Sequence, residues 1–286
     1  MAGNQLKVVA IMPATPRQPI SSRLTRRKEL QAHFERLWLL DPEQFNPLRN
    51  CMQRERLERT HHLIKNHTTI QGKRAADLGC AAGVFTRRIR DEGAFVDAVD
   101  IAENALKELK KNDMANIEAK HDAMPETKLP DHAYDLVLCM EIIAELTKDD
   151  YRLFFSELAR LVKLDGFVVC STPIDFKTQD GVERLLELAQ TEFDIIDAFP
   201  SYHALFIRLK GFFESFPKWL SFITKPILNK LKNSKWILLK LEKICECFRH
   251  NNGISHVIFI AKLRPLPKIN PEEIPVERLH KKQIWE

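Results

Sequence analysis

The segment Asp77-Leu78-Gly79-Cys80-Ala81-Ala82-Gly83 decides the fold of this chain. It follows a short apolar run that is typical of a strand, and it precedes a helical pattern over 84–92. Small residues at 79, 81 and 83 let the backbone turn sharply and let a ligand approach it closely. Open α/β sheets bind ligands at such strand ends. The segment therefore predicts a strand–turn–helix unit with a ligand-binding loop.

Short apolar runs alternate with helical patterns along the rest of the central chain. Strand–helix–strand order at this spacing predicts right-handed crossovers and a parallel sheet. The first strand is predicted from this context, because Ala75 and Ala76 have low β-propensity. The predicted strands are 75–79, 95–99, 117–121, 134–140, 167–171, 193–199 and 256–260. The predicted helices are 84–92, 102–111, 150–164 and 181–190.

Composition excludes several classes of protein. The chain has 286 residues, of which 44% are hydrophobic and 29% charged, as in ordinary globular proteins that fold into one large α/β domain or two small ones. No uncharged apolar stretch approaches the ~18 residues that span a bilayer, and the N-terminus lacks the order of a secretory signal. The six cysteines form no CxxC pair, which favours reduced thiols in a cytoplasm. The histidines show no metal-ligand spacing, so no metal site is predicted.

Changes in composition and in the spacing of apolar residues along the chain predict its organisation. Residues 1–28, rich in proline and basic residues, predict a flexible basic tail. Residues 29–68 predict a helical cap, since apolar residues recur there at helical spacing. The α/β domain is predicted over 73–263, and the proline-rich residues 264–286 predict a second extended tail.

Residues 204–250, here called the insertion, interrupt the α/β pattern before the last strand. They hold ten Lys or Arg residues against three Glu, and their aromatic and aliphatic residues recur at helical spacing. Two interpretations remain open. The insertion is either a lid packed on the sheet with solvated lysines, or a surface that contacts a membrane or an apolar substrate, particularly over 212–248. Without an ordered pattern of arginines and aromatics, the sequence gives no strong signal for nucleic acid.

Four acidic residues lie at the carboxyl ends of the first four predicted strands. Asp77 comes first, and Asp100 ends the next strand 23 residues later, where a carboxylate can accept hydrogen bonds from both hydroxyls of a ribose. Asp122 follows the third strand and Glu141 the fourth. Each acid alone has a structural alternative as a helix cap or a solvated loop residue. Together they predict an acidic nucleotide site.

The type of nucleotide follows from charge. A dinucleotide brings a pyrophosphate and favours a GxGxxG loop, whereas this loop is Gly-Cys-Ala-Ala-Gly and lacks the third glycine. S-adenosylmethionine carries a sulfonium and an ammonium group and no phosphate, so carboxylates favour it. The residues thus favour S-adenosylmethionine over NAD.

On these motifs the chain resembles the class I S-adenosylmethionine-dependent methyltransferases, nearest to the small-molecule branch that includes the ubiquinone-biosynthesis O-methyltransferases. The resemblance covers about 50–172, and 253–263 is similar to the family's last strand. It implies a Rossmann-like, doubly wound and mostly parallel seven-stranded sheet with an antiparallel last strand. The motifs that carry it are 77–80 with Gly83, 98–101, 121–123, 135–141 and 158–166.

The resemblance also implies roles for individual residues. The loop would wrap the methionine and adenosine parts, Asp100 would hold the ribose, and Asp122 would meet the adenine edge. An arginine of the cap would meet the cofactor carboxylate; Arg59 is the choice and Arg56 the competitor. The predicted cofactor-binding residues are Arg59, Asp77, Gly79, Cys80, Ala81, Gly83, Asp100, Ile101, Asp122, Ala123, Met140 and Glu141.

The chain departs from the family at two points. The middle glycine of the loop is Ala81, and the Glu-His pair common after the fourth strand is Ala144-Glu145. Methyl transfer needs a base only when the acceptor is a weakly acidic hydroxyl or a protonated amine. Among five candidate bases Glu145 is preferred as the catalytic residue. The candidates are Glu141, Glu145, Asp175, Tyr202 and His203.

The sequence therefore predicts a cytoplasmic methyltransferase, peripheral to a membrane if the insertion binds one, that acts on a small apolar or lipid-like acceptor. Two alternatives stay open. One is a catalytically silent adaptor of the same fold at a membrane or protein surface. The other is a dinucleotide-binding oxidoreductase.

Overall fold

The computed structural model describes residues 20–147, 150–174, 181–247 and 254–265. Within them, seven strands form one sheet. They are β1 (Arg74–Leu78), β2 (Phe95–Asp100), β3 (Ile117–His121), β4 (Tyr134–Met140), β5 (Val162–Pro173), β6 (Phe193–Ser201) and β7 (His256–Leu263). The helices are α1 (Ile20–Leu40), α2 (Cys51–His67), α3 (Val84–Asp91), α4 (Glu103–Leu109), α5 (Tyr151–Leu161), α6 (Gly181–Ala189), α7 (Ala204–Glu214), α8 (Ser221–Asn233) and α9 (Lys235–Cys247).

The strand order across the sheet is β3-β2-β1-β4-β5-β7-β6. Strand β1 pairs in parallel with β2 and β4, while β7 runs antiparallel to both β5 and β6. This confirms the mostly parallel seven-stranded sheet with an antiparallel last strand. The chain leaves β1 toward β2 and β3, then returns to its other side at β4. The order therefore reverses beside β1, and the carboxyl ends of β1 and β4 form the switch point where α/β sheets bind ligands.

Strand β1 forms at the centre of the sheet despite its weak propensity. Ala75, Ala76 and Leu78 are fully buried, and both edges of the strand are paired. Burial on both faces and two hydrogen-bonded neighbours outweigh intrinsic preference in such a strand.

The described elements differ from the predicted ones by one or two residues at several ends, and by more at the start of α1, the end of α5, the start of β5 and the end of β7. Helix α1 begins at Ile20, inside the segment predicted to be a tail, because 20–28 holds no proline or glycine to stop the helix of 29–40 from extending. Helix α5 ends at Leu161 rather than 164, because Val162 already pairs with Tyr134 of β4. Residues 1–19, 248–253 and 266–286, which carry parts of the predicted tails and insertion, lie outside the described residues.

The insertion folds as three helices that pack on the cap. Cys51 at the start of α2 forms a buried cluster with Phe206 of α7, Leu231 of α8 and Leu238 of α9. Across the described ranges, none of the helices has the length and apolar character needed to cross a bilayer.

A buried ion pair fastens α9 to α2. The Arg59 guanidinium donates to both carboxylate oxygens of Glu242, at 2.7 and 2.5 Å. Glu55 accepts from Arg59 at 3.2 Å and pairs with Lys235 at 2.7 Å. Burial alone would raise the pKa of Glu242. The hydrogen bonds and the charge of Arg59 outweigh that effect, so the pKa falls to about 2. This pair fixes the insertion against the cap.

Breaking this pair destabilises the fold. We expect Glu242→Gln to lower the free energy of unfolding by about 3 kcal/mol, because Arg59 stays buried after losing its two-point carboxylate partner and keeps only Glu55. Because the pKa of Glu242 is lower in the folded state than in the unfolded state, its ionised carboxylate stabilises the folded protein above about pH 4.5. This stabilisation is lost as the pH falls toward 2. Denaturant unfolding at pH 7 and at pH 3 checks this: the difference between wild type and variant should shrink at the lower pH. The exposed-site variant Glu187→Gln is the control, and an equal loss there contradicts the assignment.

Candidate functional site

A cavity of 370 Å³ opens at the carboxyl ends of β1, β2 and β4, beneath the cap. Its volume lies within the usual range for a small-molecule site, roughly 300–1,000 Å³. The sheet side contributes Asp77 through Ala82, Val99 through Ile101, Asp122 through Met124, and Met140 through Ile142 with Glu145 and Leu146. The cap side contributes Leu30, Phe34, Trp38, Gln44, Phe45, Pro47, Gln53, Arg56 and Leu57.

The loop Gly79–Gly83 turns through three left-handed residues. Gly79, Ala81 and Gly83 have φ values of 69°, 51° and 73°. A Cβ at Gly79 would lie 2.9 Å from the Ile142 side chain, so this position needs glycine. Ala81 adopts a conformation that costs an L-residue roughly 1 kcal/mol, and its methyl packs against the cluster of Trp38, Ala102 and Ala105.

Asp100 holds this loop in place. One carboxylate oxygen accepts the Ala81 backbone N–H at 2.9 Å, and the other accepts the Ala102 N–H at 2.9 Å. Burial raises the pKa of Asp100, and the two backbone hydrogen bonds oppose that rise. Each oxygen keeps a second lone pair, so the carboxylate can still accept from a ligand hydroxyl.

The structure brings all four predicted acids to the cavity, but their charges are partly compensated. Burial raises the pKa of Asp77 to about 7, despite the 2.5 Å hydrogen bond from Thr86. Asp122 pairs with Arg27 of α1 at 2.6 Å. Glu141 pairs with Arg56 at 2.8 Å. The site is therefore less negative than its residue types indicate.

Glu141 is the centre of a hydrogen-bonded group at the end of β4. One of its carboxylate oxygens accepts from His256 and from Ser171, each at 2.6 Å, and the other meets Arg56. Burial opposes ionisation, but the hydrogen bond from His256 and the charge of Arg56 hold the pKa of Glu141 below its usual range. Glu141 also has φ of 67°, a strained backbone that places its side chain here.

Of the two candidate arginines, the structure brings Arg56 to the cavity and not Arg59. Arg59 is absent from the cavity wall, because Glu55 and Glu242 bind its guanidinium, which lies over the ring of Phe199. Arg56 lines the cavity, and its Nε is buried without a hydrogen-bond partner among the described residues. The guanidinium of Arg56, which pairs with Glu141 at the cavity wall, carries the positive charge that an anionic ligand group favours.

The other predicted residues fall into three groups. Cys80, Ile101, Ala123, Met140 and Glu145 line the cavity together with the loop and the acids. Gly83 does not line it; Gly83 begins α3, and a Cβ there would collide with Leu109. His203 is buried beside Glu242 in the ion-pair group, away from the cavity lining.

The structure does not place two other candidate bases, Tyr202 and Asp175, in the cavity wall. Tyr202 is not among the residues of the cavity wall. Asp175 lies outside the described residues.

Sequence reasoning missed the apolar residues on the cap side of the cavity. Leu30, Phe34 and Trp38 recur every four residues on α1 and line it, with the Trp38 ring stacked 4.7 Å from Phe45. Their periodicity predicted a helix, but a single amphipathic face does not tell whether it covers a core or a ligand. Among the described residues, no cluster of His, Cys, Asp or Glu is arranged to hold a metal ion.

Comparisons with known proteins agree with this geometry. Residues 75–166 match a family described as a methyltransferase domain. A ubiquinone biosynthesis O-methyltransferase of Neisseria meningitidis serogroup C is 32% identical over 115 residues, which are 38% of this chain and 48% of that protein. The mitochondrial ubiquinone biosynthesis O-methyltransferase of Schizosaccharomyces pombe is 26% identical over 204 residues, 69% of this chain and 67% of that protein.

Residues 75–166 belong to the class I S-adenosylmethionine-dependent methyltransferase family. The chain spans about half the length of the first curated relatives that it matches. Its fold is also that of the N-methyltransferase NodS from Bradyrhizobium japonicum WM9, solved with S-adenosylhomocysteine, with a TM-score of 0.53 at 11% identity over 82% of this chain and 99% of that one.

The residues of the cavity fit the cofactor of this family. S-adenosylmethionine has a ribose that suits the remaining lone pairs of Asp100 and a carboxylate that suits the positive charge of Arg56 at the cavity wall. The left-handed loop lets both approach the backbone closely.

Arg56, rather than Arg59, should determine cofactor affinity. We expect Arg56→Gln to weaken binding of S-adenosylhomocysteine about 10- to 100-fold, because a charged hydrogen bond contributes about 1.5–3 kcal/mol. Titration calorimetry measures it, with Arg54→Gln, on the same helix but outside the cavity wall, as the control. Equal affinities for the two variants would contradict the role of Arg56.

Proposed function

We propose that this chain transfers a methyl group from S-adenosylmethionine to a small apolar or lipid-like acceptor. The observation that carries the proposal is the pair of hydrogen bonds that Asp100 accepts from the backbone N–H groups of Ala81 and Ala102. They hold the loop in a shape suited to a nucleoside at the switch point of the sheet. Membership of the family supports the cofactor, and the names of the relatives support an acceptor hydroxyl.

The cap supports the apolar character of the acceptor. Leu30, Phe34, Trp38 and Phe45 form an apolar wall of the cavity, contributed by the cap. Burial of apolar surface against such a wall contributes about 25 cal/mol per Å². The cofactor's charged and polar groups match the sheet side, so the aromatic side is left for the acceptor.

The chain's own residues contribute mainly position. Bound S-adenosylmethionine supplies an activated methyl group on a sulfonium. Asp100 fixes the nucleoside end, Arg56 and Glu141 fix the amino-acid end, and the aromatic wall orients the acceptor for an in-line displacement. Glu145 lines the same cavity and is exposed, so its carboxylate can remove a proton from an acceptor hydroxyl.

Methyl transfer itself is the first test. Purified protein is incubated with S-adenosylmethionine labelled in the methyl group and with matched phenols, with and without an alkyl chain, and the corresponding amines. Transfer to alkylated phenols supports the proposal. A protein that binds the cofactor and transfers no methyl group to any of them favours the catalytically silent adaptor, and binding of NAD instead favours the oxidoreductase.

Glu145 should act on the proton of the acceptor. We expect Glu145→Gln to lower kcat about 100-fold for a phenol, as loss of a general base does, while leaving the Kd of S-adenosylhomocysteine unchanged. Glu187→Gln, an exposed carboxylate of α6 outside the cavity wall, serves as the control. Full turnover in the Glu145 variant would remove this residue from the mechanism.

We also place the protein in the cytoplasm, in contact with a membrane through the insertion. An apolar acceptor partitions into lipid, so an enzyme that acts on it gains access at a membrane surface.

A further inference from the structure

The junction between α7 and α8 exposes a group of aromatic residues. The exposed fractions of Phe212, Trp219 and Phe222 are 56%, 73% and 71%. Phe216 packs edge-on against Phe212 with ring centroids 5.1 Å apart. Side chains this large rarely stand in water together without a partner, and an exposed apolar group of this kind marks an interaction surface.

Basic side chains surround this junction. Lys225 and Lys230 of α8 are exposed, and neither forms an ion pair with a carboxylate in the described parts of the chain. Lys232 pairs with Glu214 at 2.8 Å and so joins α8 to α7. The apolar junction therefore lies within a positive surface, as in helices that bind anionic lipid.

Helix α9 repeats the pattern. Trp236 is 65% exposed, and the Lys240 ammonium lies 4.0 Å above its ring. Tryptophan with an adjacent lysine is suited to the boundary between lipid head groups and acyl chains, where the ring is half buried and the ammonium meets phosphate.

The insertion adjoins the cavity through α2. Cys51 and Met52 of this helix pack on the insertion, while Gln53, Arg56 and Leu57, on the same and the next turn, line the cavity. The buried pair between Arg59 and Glu242 fixes the two units against each other. A partner surface that binds the insertion therefore also lies close to the cavity.

We propose that the α7–α8 junction, with Trp236 of α9, docks on a bilayer that contains anionic lipid. Charge complementarity selects this occupant. The exposed aromatic and aliphatic side chains would enter the acyl boundary, while Lys225 and Lys230 would meet lipid phosphates, as in peripheral proteins that bind by both interactions. Docking does not require turnover; only its purpose, access to a lipid-like acceptor, rests on the proposed function.

Flotation of the full chain with vesicles tests the docking. Wild-type protein should float with vesicles of phosphatidylcholine and phosphatidylserine, and much less with phosphatidylcholine alone. Trp219→Ser with Phe222→Ser should lower the partition coefficient about tenfold or more, because two large side chains lose their apolar burial. The matched control is Phe95→Ser with Leu164→Ser, which removes two side chains that are 55% and 79% exposed elsewhere on the surface.

Neutralising lysines tests the electrostatic half. Each lysine near an anionic surface contributes about a fivefold increase in partitioning, so Lys225→Gln with Lys230→Gln should lower binding to anionic vesicles about 30-fold. The change on neutral vesicles should be small. Lys107→Gln with Lys110→Gln, on α4, is the control and should bind as wild type does.

The outcomes separate this inference from the proposed function. Binding of S-adenosylhomocysteine is measured for wild type and for every variant, separately from flotation. A wild-type protein that floats but does not bind this ligand contradicts the proposed function alone. Wild type that stays in the aqueous fraction with anionic vesicles overturns the docking. So does a concentration-dependent dimer that the Trp219 and Phe222 substitutions dissociate without any flotation, which would assign the surface to a second copy. Retention on RNA without flotation would likewise overturn it.

Discussion

The carboxylate of Asp100 is the constraint on which the site depends. It joins the end of β2 to the loop after β1 by accepting the amides of Ala81 and Ala102. Without these bonds, a turn with three left-handed residues, one of them an alanine, would lack the interaction that determines its shape. The shape of the cavity floor and the close approach to the backbone follow from that turn. The same carboxylate retains lone pairs directed at a ligand, so one group serves both structure and binding.

Burial and ion pairing give the other acids separate roles. Asp77 is buried with Thr86 and has a raised pKa, Asp122 is paired with Arg27 of the cap, and Glu141 orients Arg56. A bare cluster of four carboxylates would be strongly self-repelling in a half-buried site. The arrangement observed avoids this repulsion and converts one carboxylate into a support for a cationic contact. Under the proposed function, the site would recognise a zwitterionic end by a paired arginine rather than by negative charge alone.

The sequence was sufficient for the sheet and for the sheet side of the site. The ranges of β3 and β4 were predicted to the residue, because alternating and β-branched runs bounded by turns specify strands strongly. The loop and the four acids were found because the carboxyl ends of adjacent parallel strands must lie together. The start of α1 was predicted wrongly, because the prolines and basic residues of 1–28 are typical of an extended tail, whereas the helix begins at Ile20.

The cap side was beyond sequence reasoning. Arg56 and Arg59 are three residues apart on α2, and which of them faces the cavity depends on the rotation of that helix. The rotation is fixed in part by Glu242, a partner 183 residues away from Arg59. The aromatic wall of α1 shows the same problem, since its periodicity is that of any buried helix face. Contacts between distant segments determine these positions, and one sequence does not reveal which segments meet.

Titration of the Asp100→Asn variant with S-adenosylhomocysteine tests the central claim most directly. Asparagine offers one acceptor oxygen where two backbone amides need acceptors, and its own N–H groups oppose one of them. We predict that wild type binds the ligand and that the variant, still folded by circular dichroism, binds it at least about 100-fold more weakly, a loss of two charge-assisted hydrogen bonds. Equal binding by the two proteins, or no binding by wild type at millimolar ligand, would contradict the account.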